Sequence, residues 1–259
     1  MTTVDVTTPP PSRAPHWRSL AIELRCEAMR LLREPMYIIP TLLFPALFYA
    51  MFGLLMGGRG GGEAARYLLA TYGVFGALGA GLFGFAVTVA IDRERGYLAL
   101  RRALPARTSG WIVPRLLIAM AFSLVIALEL ALLGSVFGGV SLAPGQWALL
   151  WTVTALGALP FCAIGLWLGL VCSANGAPAV VNVVFLPMAF LSGLWLPLSM
   201  LPAWLAQLAP LWPAYHLAQV ALQVVGQGGA GSMWGHAGVL LGVGVAFSVL
   251  AQRRFARVG

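Results

Sequence analysis

Apolar residues run along most of this chain in blocks about twenty long, cut by glycine, proline and short charged clusters. A helix needs about 20 apolar residues to cross a hydrocarbon core of about 30 Å. Six blocks meet that length: 36–57, 67–91, 112–134, 147–171, 177–196 and 233–251. Turn chemistry sets the cuts. Gly138-Gly139 and Pro144-Gly145 close the third block, and Ser173-Ala174-Asn175-Gly176 separates the fourth from the fifth. The stretch Gly226 to Ser232 precedes the sixth. Between the fifth and sixth blocks, Pro197, Pro202, Pro210 and Pro213 rule out a continuous crossing helix. The pieces 199–209 and 214–225 are too short to span, so 197–225 is expected to be re-entrant or interfacial.

The polar positions ahead of the first block follow another rule. Residues 1–14 are rich in Thr and Pro and predict a disordered tail. Over 15–34, Trp17, Leu20, Ala21, Leu24, Ala28, Leu31 and Leu32 share one helical stripe, with Arg and Glu on most of the rest. That pattern predicts an amphipathic helix at the membrane surface, with a soluble helix packed on a partner as the alternative. The segment 15–259 is thus expected to be one transmembrane domain. It is all-α and polytopic, with six transmembrane helices, an N-terminal interfacial helix and short outer helices between spans five and six.

Charge fixes the orientation. The chain is 60% hydrophobic and only 9% charged, against about 25% in soluble domains. No Asp, Glu, Lys or Arg occurs from Leu130 to Gln252, which no water-solvated surface of that length tolerates. With the N-terminus inside and six spans threaded, fourteen Arg fall in inner segments and only Arg59 and Arg66 in outer ones. The positive-inside rule then puts both termini in the cytoplasm of a bacterial inner membrane. The same placement accounts for the net charge of +8 without invoking nucleic acid.

Composition also excludes chemistries. All 16 basic residues are Arg, and a Walker A loop needs its Lys, so this chain is not expected to hydrolyse ATP. Cys26, Cys162 and Cys172 fit no zinc or CxxC spacing and read as free thiols. His16, His216 and His236 form no ligand cluster in sequence, so no metal site is expected. HExxH, GxSxG and paired intramembrane carboxylates are absent, which argues against an intramembrane enzyme.

The inner loop 91–116 has a helical centre at about 94–104, stopped by Pro105. A short charged helix there would serve as a docking knob for a soluble subunit, or simply as a positive retention loop. At three places the sequence resembles the second class of ABC permeases, the membrane subunits of drug, lipid and polysaccharide exporters. Arg33-Glu34-Pro35, behind the amphipathic helix, resembles the family's R-D/E-P start of the first span. Arg93-Glu94-Arg95-Gly96 and the Leu-rich turn to Leu104-Pro105 resemble its E-R-G-T…L…P coupling loop, with Tyr97 where Thr is common. Phe190 to Pro202, then Pro213-Ala214-Tyr215-His216, resemble its external stretch.

The resemblance implies a transport subunit, a likeness covering about 15–257. Two permeases, a homodimer or a pair with a second permease, would form the path in the lipid bilayer. Two cytoplasmic ABC ATPase subunits would hold ATP and Mg, and no cofactor would be bound here. Coupling residues on this basis are Arg93, Glu94, Arg95, Gly96, Tyr97, Leu100, Arg101, Leu104 and Pro105. Trp17, Leu20, Leu24, Arg33, Glu34 and Pro35 would form the interfacial helix and its exit. An amphiphile, drug, lipid or glycan would be moved outward. A secondary transporter without an ATPase, or a non-transporting scaffold, stands as the alternative.

Candidates for the path are few. Glu129 is the one carboxylate inside a predicted span, toward its outer end, where it lines a path or sits near the headgroups beside Arg59 or Arg66. His216, Gln219, Gln223 and Gln227 recur at helical spacing and form either an exit vestibule or the water-facing side of an interfacial helix.

Overall fold

The computed structural model describes residues 16–56, 62–103 and 109–258. The predicted tail, Leu104 and Pro105 lie outside them. Pro35 sets the first boundary. Proline disfavours a helical residue before it and starts a helix well. Accordingly α1 (His16–Leu32) ends, Glu34 turns to φ −109° and α2 (Pro35–Phe48) begins, continuing as a π-helical stretch Tyr49–Met56. The remaining helices are α3 (Gly62–Glu94), α4 (Tyr97–Ala103), α5 (Ser109–Val136), α6 (Pro144–Val171) and α7 (Ala177–Leu191), then α8 (Ala203–Ala206), α9 (Pro213–Val224) and α10 (Met233–Val258). Single 3₁₀ turns, Leu198–Met200 and Ala209–Leu211, flank α8. Among the described residues there are helices and turns and no strands.

The central helix is α3. Its residues Leu69, Tyr72, Leu78, Leu82 and Val89 are fully enclosed, and α5, α6, α7 and α9 pack around it. At 33 residues α3 is about 50 Å long, more than a hydrocarbon core needs, so its last turns carry polar side chains. By contrast α10 is mostly exposed along its apolar stretch and forms an outer wall. A second core cluster brings Val89, Leu98, Trp111, Leu170 and Ala251 together. It therefore gathers the end of α3, the start of α5 and the ends of α6 and α10 at one pole, and Arg30 of α1 reaches the same end of α3 through Asp92.

Among the described residues, five helices are long and apolar enough to cross a membrane: Pro35–Leu54, Gly62–Glu94, Trp111–Val136, Pro144–Val171 and Met233–Ala256. The fifth predicted block, 177–196, forms a helix only to Leu191. Gly193 sits at φ +75°, where a helix ends and a side chain is disfavoured. The carbonyl of Gly193 accepts from Tyr67 Oη at 2.9 Å, which fixes the turn against α3. At 15 residues α7 is about 22 Å long, short of a full crossing. Within 197–225, α9 is not a surface helix. Tyr215, Leu217, Gln219, Val220, Leu222 and Val224 are all buried, against α3, α6, α7 and α10.

Candidate functional site

Successive residues of an α-helix point about 100° apart. The last three residues of α3 use this to grip three different parts of the molecule. Asp92, buried, takes both terminal nitrogens of Arg30 from α1, at 3.2 and 3.3 Å, and a hydrogen bond from Arg115 Nη2 of α5. Arg93 donates to the carbonyls of Leu170 and, at 2.8 Å, Cys172. Those carbonyls end α6, where a helix leaves acceptors unsatisfied and its dipole favours a cation. Glu94 accepts from the backbone N–H of Ala174 at 2.9 Å, in the turn before α7.

Arg115 completes the cluster. Its Nε lies 3.1 Å from Glu27 Oε1 and its guanidinium stacks 4.7 Å from the Trp111 ring. Glu27, Arg30, Asp92 and Arg115 balance to zero net charge, which makes burial of Asp92 and Arg115 tolerable. Gly96, at φ +75°, then turns the chain into α4. The predicted helix at 94–104 is thus split, with Glu94 belonging to α3 and α4 starting at Tyr97. Leu98 is buried in the polar-end core, while Tyr97 and Leu100 are 50% and 59% exposed and Arg95 is exposed. Arg101 lies on α4, and its side chain is outside the described residues.

A second feature opens between α2, α3 and α7. It is a groove of about 400 Å³ walled by Phe44, Phe48, Phe75, Phe185 and Trp195. Phe75 and Phe185 approach to 5.0 Å between centroids, and Phe48 and Trp195 to 6.0 Å. Tyr37, Thr41 and Asn182 are its polar members. Apolar walls with a few polar groups at this volume suit a small amphiphilic ligand.

The model of the ABC-2 type transporter family matches residues 19–225. The chain belongs to that family. It is also 23% identical over 228 residues to the "Putative transport permease YvfS" of Bacillus subtilis (strain 168), covering 87% of this chain and 92% of that protein. The match to the ABC-2 family takes in α1 through α9, and so includes the junction at Asp92–Glu94, α4 and the groove.

In this ABC-2 protein the interfacial-helix residues divide by face. Leu20 and Leu24 are half-buried toward α5, whereas Trp17 is 65% exposed and Arg33, Glu34 and Pro35 are exposed. The Gln stripe is occupied by protein. Gln219, buried, accepts from Ala230 N at 2.8 Å, Gln223 donates to Gly231 O and Gln227 to Glu63 O, each at 3.2 Å. These side chains tie the loop 226–232 and the start of α3 to this part of the chain. His216 faces His236. Glu129 is half-buried on α5, and no described cation pairs with it; Arg66 instead donates to Ser141 O at 3.3 Å. Among the described residues no group of three metal-ligating side chains occurs.

Sequence reasoning missed the Asp92–Arg115 cluster. By position Arg115 reads as an inner-loop charge, yet it follows Trp111, Ile112, Val113 and Pro114. An Arg within such an apolar run needs a carboxylate close by, and Asp92 and Glu27 are the two that α3 and α1 supply. That requirement was the available signal.

Proposed function

We propose that this membrane protein is the permease half of an ATP-driven exporter. It works as a dimer in the bacterial inner membrane with two cytoplasmic ABC ATPase subunits, which hold the ATP and Mg. The α3–α4 junction carries this reading. A push on α4 reaches α1 and α5 through Asp92, α6 through Arg93 and the start of α7 through Glu94. Tyr97 and Leu100 offer a partner an exposed apolar hold beside Arg95. The absence of any Lys leaves the chain without a Walker A loop of its own.

Orientation and substrate follow from the same features. The Arg-rich pole, with α1, α4 and the end of α10, is cytoplasmic by the positive-inside rule, which supports cytoplasmic termini. A sixth crossing is supported by α7 and the turn after it. They run from Ala174, beside Glu94 at that pole, to Gly193, beside Tyr67 near the start of α3. The aromatic groove suits an amphiphile, drug or lipid moved outward.

Two measurements test this. Leu100→Glu puts a charge on the exposed face of α4 and leaves Leu98 in place. It is expected to abolish co-purification of the ATPase subunit with the thermal midpoint unchanged. Export by the purified chain with no ATPase present would overturn the reading in favour of a secondary transporter. In the groove, a Cβ on Gly79 would make only ordinary contact with Phe185, at 3.6 Å. Gly79→Leu therefore fills the space without moving backbone, and efflux of fluorescent amphiphiles is expected to fall about tenfold or more with the fold intact. Unchanged efflux would remove the groove from the path.

A further inference from the structure

Far from the Arg-rich pole, two histidines face each other. His216 of α9 and His236 of α10 approach Nδ1 to Nδ1 at 2.8 Å. The other nitrogen of each ring faces a carbonyl: His216 Nε2 lies 2.9 Å from Pro210 O, and His236 Nε2 contacts Ala230 O. A carbonyl oxygen only accepts, so each Nε2 must carry a hydrogen. The contact between the two Nδ1 atoms needs one more. Three contacts require three protons, and two neutral imidazoles hold two.

We infer that His216 and His236 form a binding site for one extra proton, shared between their Nδ1 atoms, and that this proton closes a clasp. The clasp joins the turn Ala209–Leu211, α9, the loop 226–232 and α10. Without the proton, two lone pairs face each other at 2.8 Å, or one ring changes tautomer and turns a lone pair toward its carbonyl. Either way one of the three tethers is lost. The clasp is closed toward acid pH and opens as the proton leaves.

The surroundings hold the charge at one. Tyr215 packs edge-on against both rings, at 5.4 and 5.9 Å. The turn, α6, α7, α9, the loop and α10 as far as Gln252 carry no Asp, Glu, Lys or Arg. On the far side of α9, α3 brings Glu63, whose carbonyl takes Gln227, and Arg66, which is bonded to Ser141. Both histidines sit in the first turns of their helices, where the dipole opposes a cation. Burial lowers the pKa of His216 below the ordinary histidine value; the Pro210 carbonyl offsets this in part and repulsion from His236 adds to it. A second proton is therefore resisted, and the pair holds at most the one shared between the Nδ1 atoms.

The site stands apart from the transport reading and is tested on the full chain alone. The protein has three histidines, so His16→Gln leaves only this pair for ¹⁵N-histidine NMR in lipid nanodiscs. Both Nε2 and one Nδ1 are expected to be protonated at about pH 5, with one N–H lost by about pH 8.5. Amide exchange over 227–232 is expected to rise about fivefold beyond its intrinsic pH dependence over that range, and to lose that rise in His236→Gln. Two N–H groups at every pH, or equal exchange profiles in both proteins, would overturn the proposal. If His236→Gln fails to fold, the His16→Gln spectrum decides alone.

Discussion

Asp92→Asn is expected to destabilise the protein by about 3 kcal/mol, the low end for removing one member of a buried ion pair. In a chain of this size that corresponds to a fall in thermal midpoint of roughly 10 °C, measured in detergent or nanodiscs. The side chains of Asp92 and Arg115 are 6% and 5% exposed, so neither charge can turn to water when its partner is removed. Asn keeps the shape and can still accept one hydrogen bond, which is why the loss stays near 3 kcal/mol. It cannot offset the charges of Arg30 and Arg115, and Glu27 alone would then face both. Adding Arg115→Met removes the stranded cation and is expected to recover more than half of the loss, a strong coupling between the two positions. An exposed pair would behave differently, with single and double variants all within about 1 kcal/mol of the parent. That result would show the cluster to be solvated and would remove it as the connection between α4 and the rest of the protein.

What was legible in the sequence follows from which forces are local. Long apolar helices need only composition, and α2, α3, α5, α6 and α10 stand where the blocks at 36–57, 67–91, 112–134, 147–171 and 233–251 predict them. The end of α7 was hidden because Ser192 and Gly193 lie inside an apolar run, and only the positive φ at Gly193 stops the helix. The Gln stripe on α9 was visible as a stripe, but its occupant was not. Hydrogen-bonding side chains look alike whether they face water or carbonyls, and the loop 226–232 returns over α9 only in the folded chain. In the same way, Arg93 and Glu94 carry the resemblance to the family's coupling loop, yet their partners at Leu170, Cys172 and Ala174 lie about 80 residues away. A motif names such residues; only the packing of α3 on α6 shows what they hold.

That packing rests on glycine, and Gly165→Val is expected to prevent it. A Cβ on Gly165 would lie 2.8 Å from Leu82 O and 2.9 Å from Gly81 O. Both are backbone atoms of α3, so no rotamer change relieves the contact, and the two helices must separate. Gly169 repeats the approach one turn later, 2.7 Å from Ala86 O, and Gly81 meets Ala158 O at 2.9 Å from the other side. Small residues let membrane helices approach to this distance, where dispersion replaces the hydrophobic drive that lipid does not supply. Overpacking commonly costs 1–3 kcal/mol, and a clash with rigid backbone at the central helix is expected to exceed about 3. Gly238 and Gly242 have the same four-residue spacing but nothing within 4 Å of their added Cβ atoms. Gly238→Ala and Gly242→Ala are therefore expected to leave stability within about 0.5 kcal/mol or raise it slightly through helix propensity. Monodisperse yield and thermal midpoint separate the two sets. If Gly165→Val matched the Gly238 and Gly242 variants, α3 and α6 would be farther apart than the structure places them. Arg93 could then not reach the end of α6, and α4 would lose its connection to that helix.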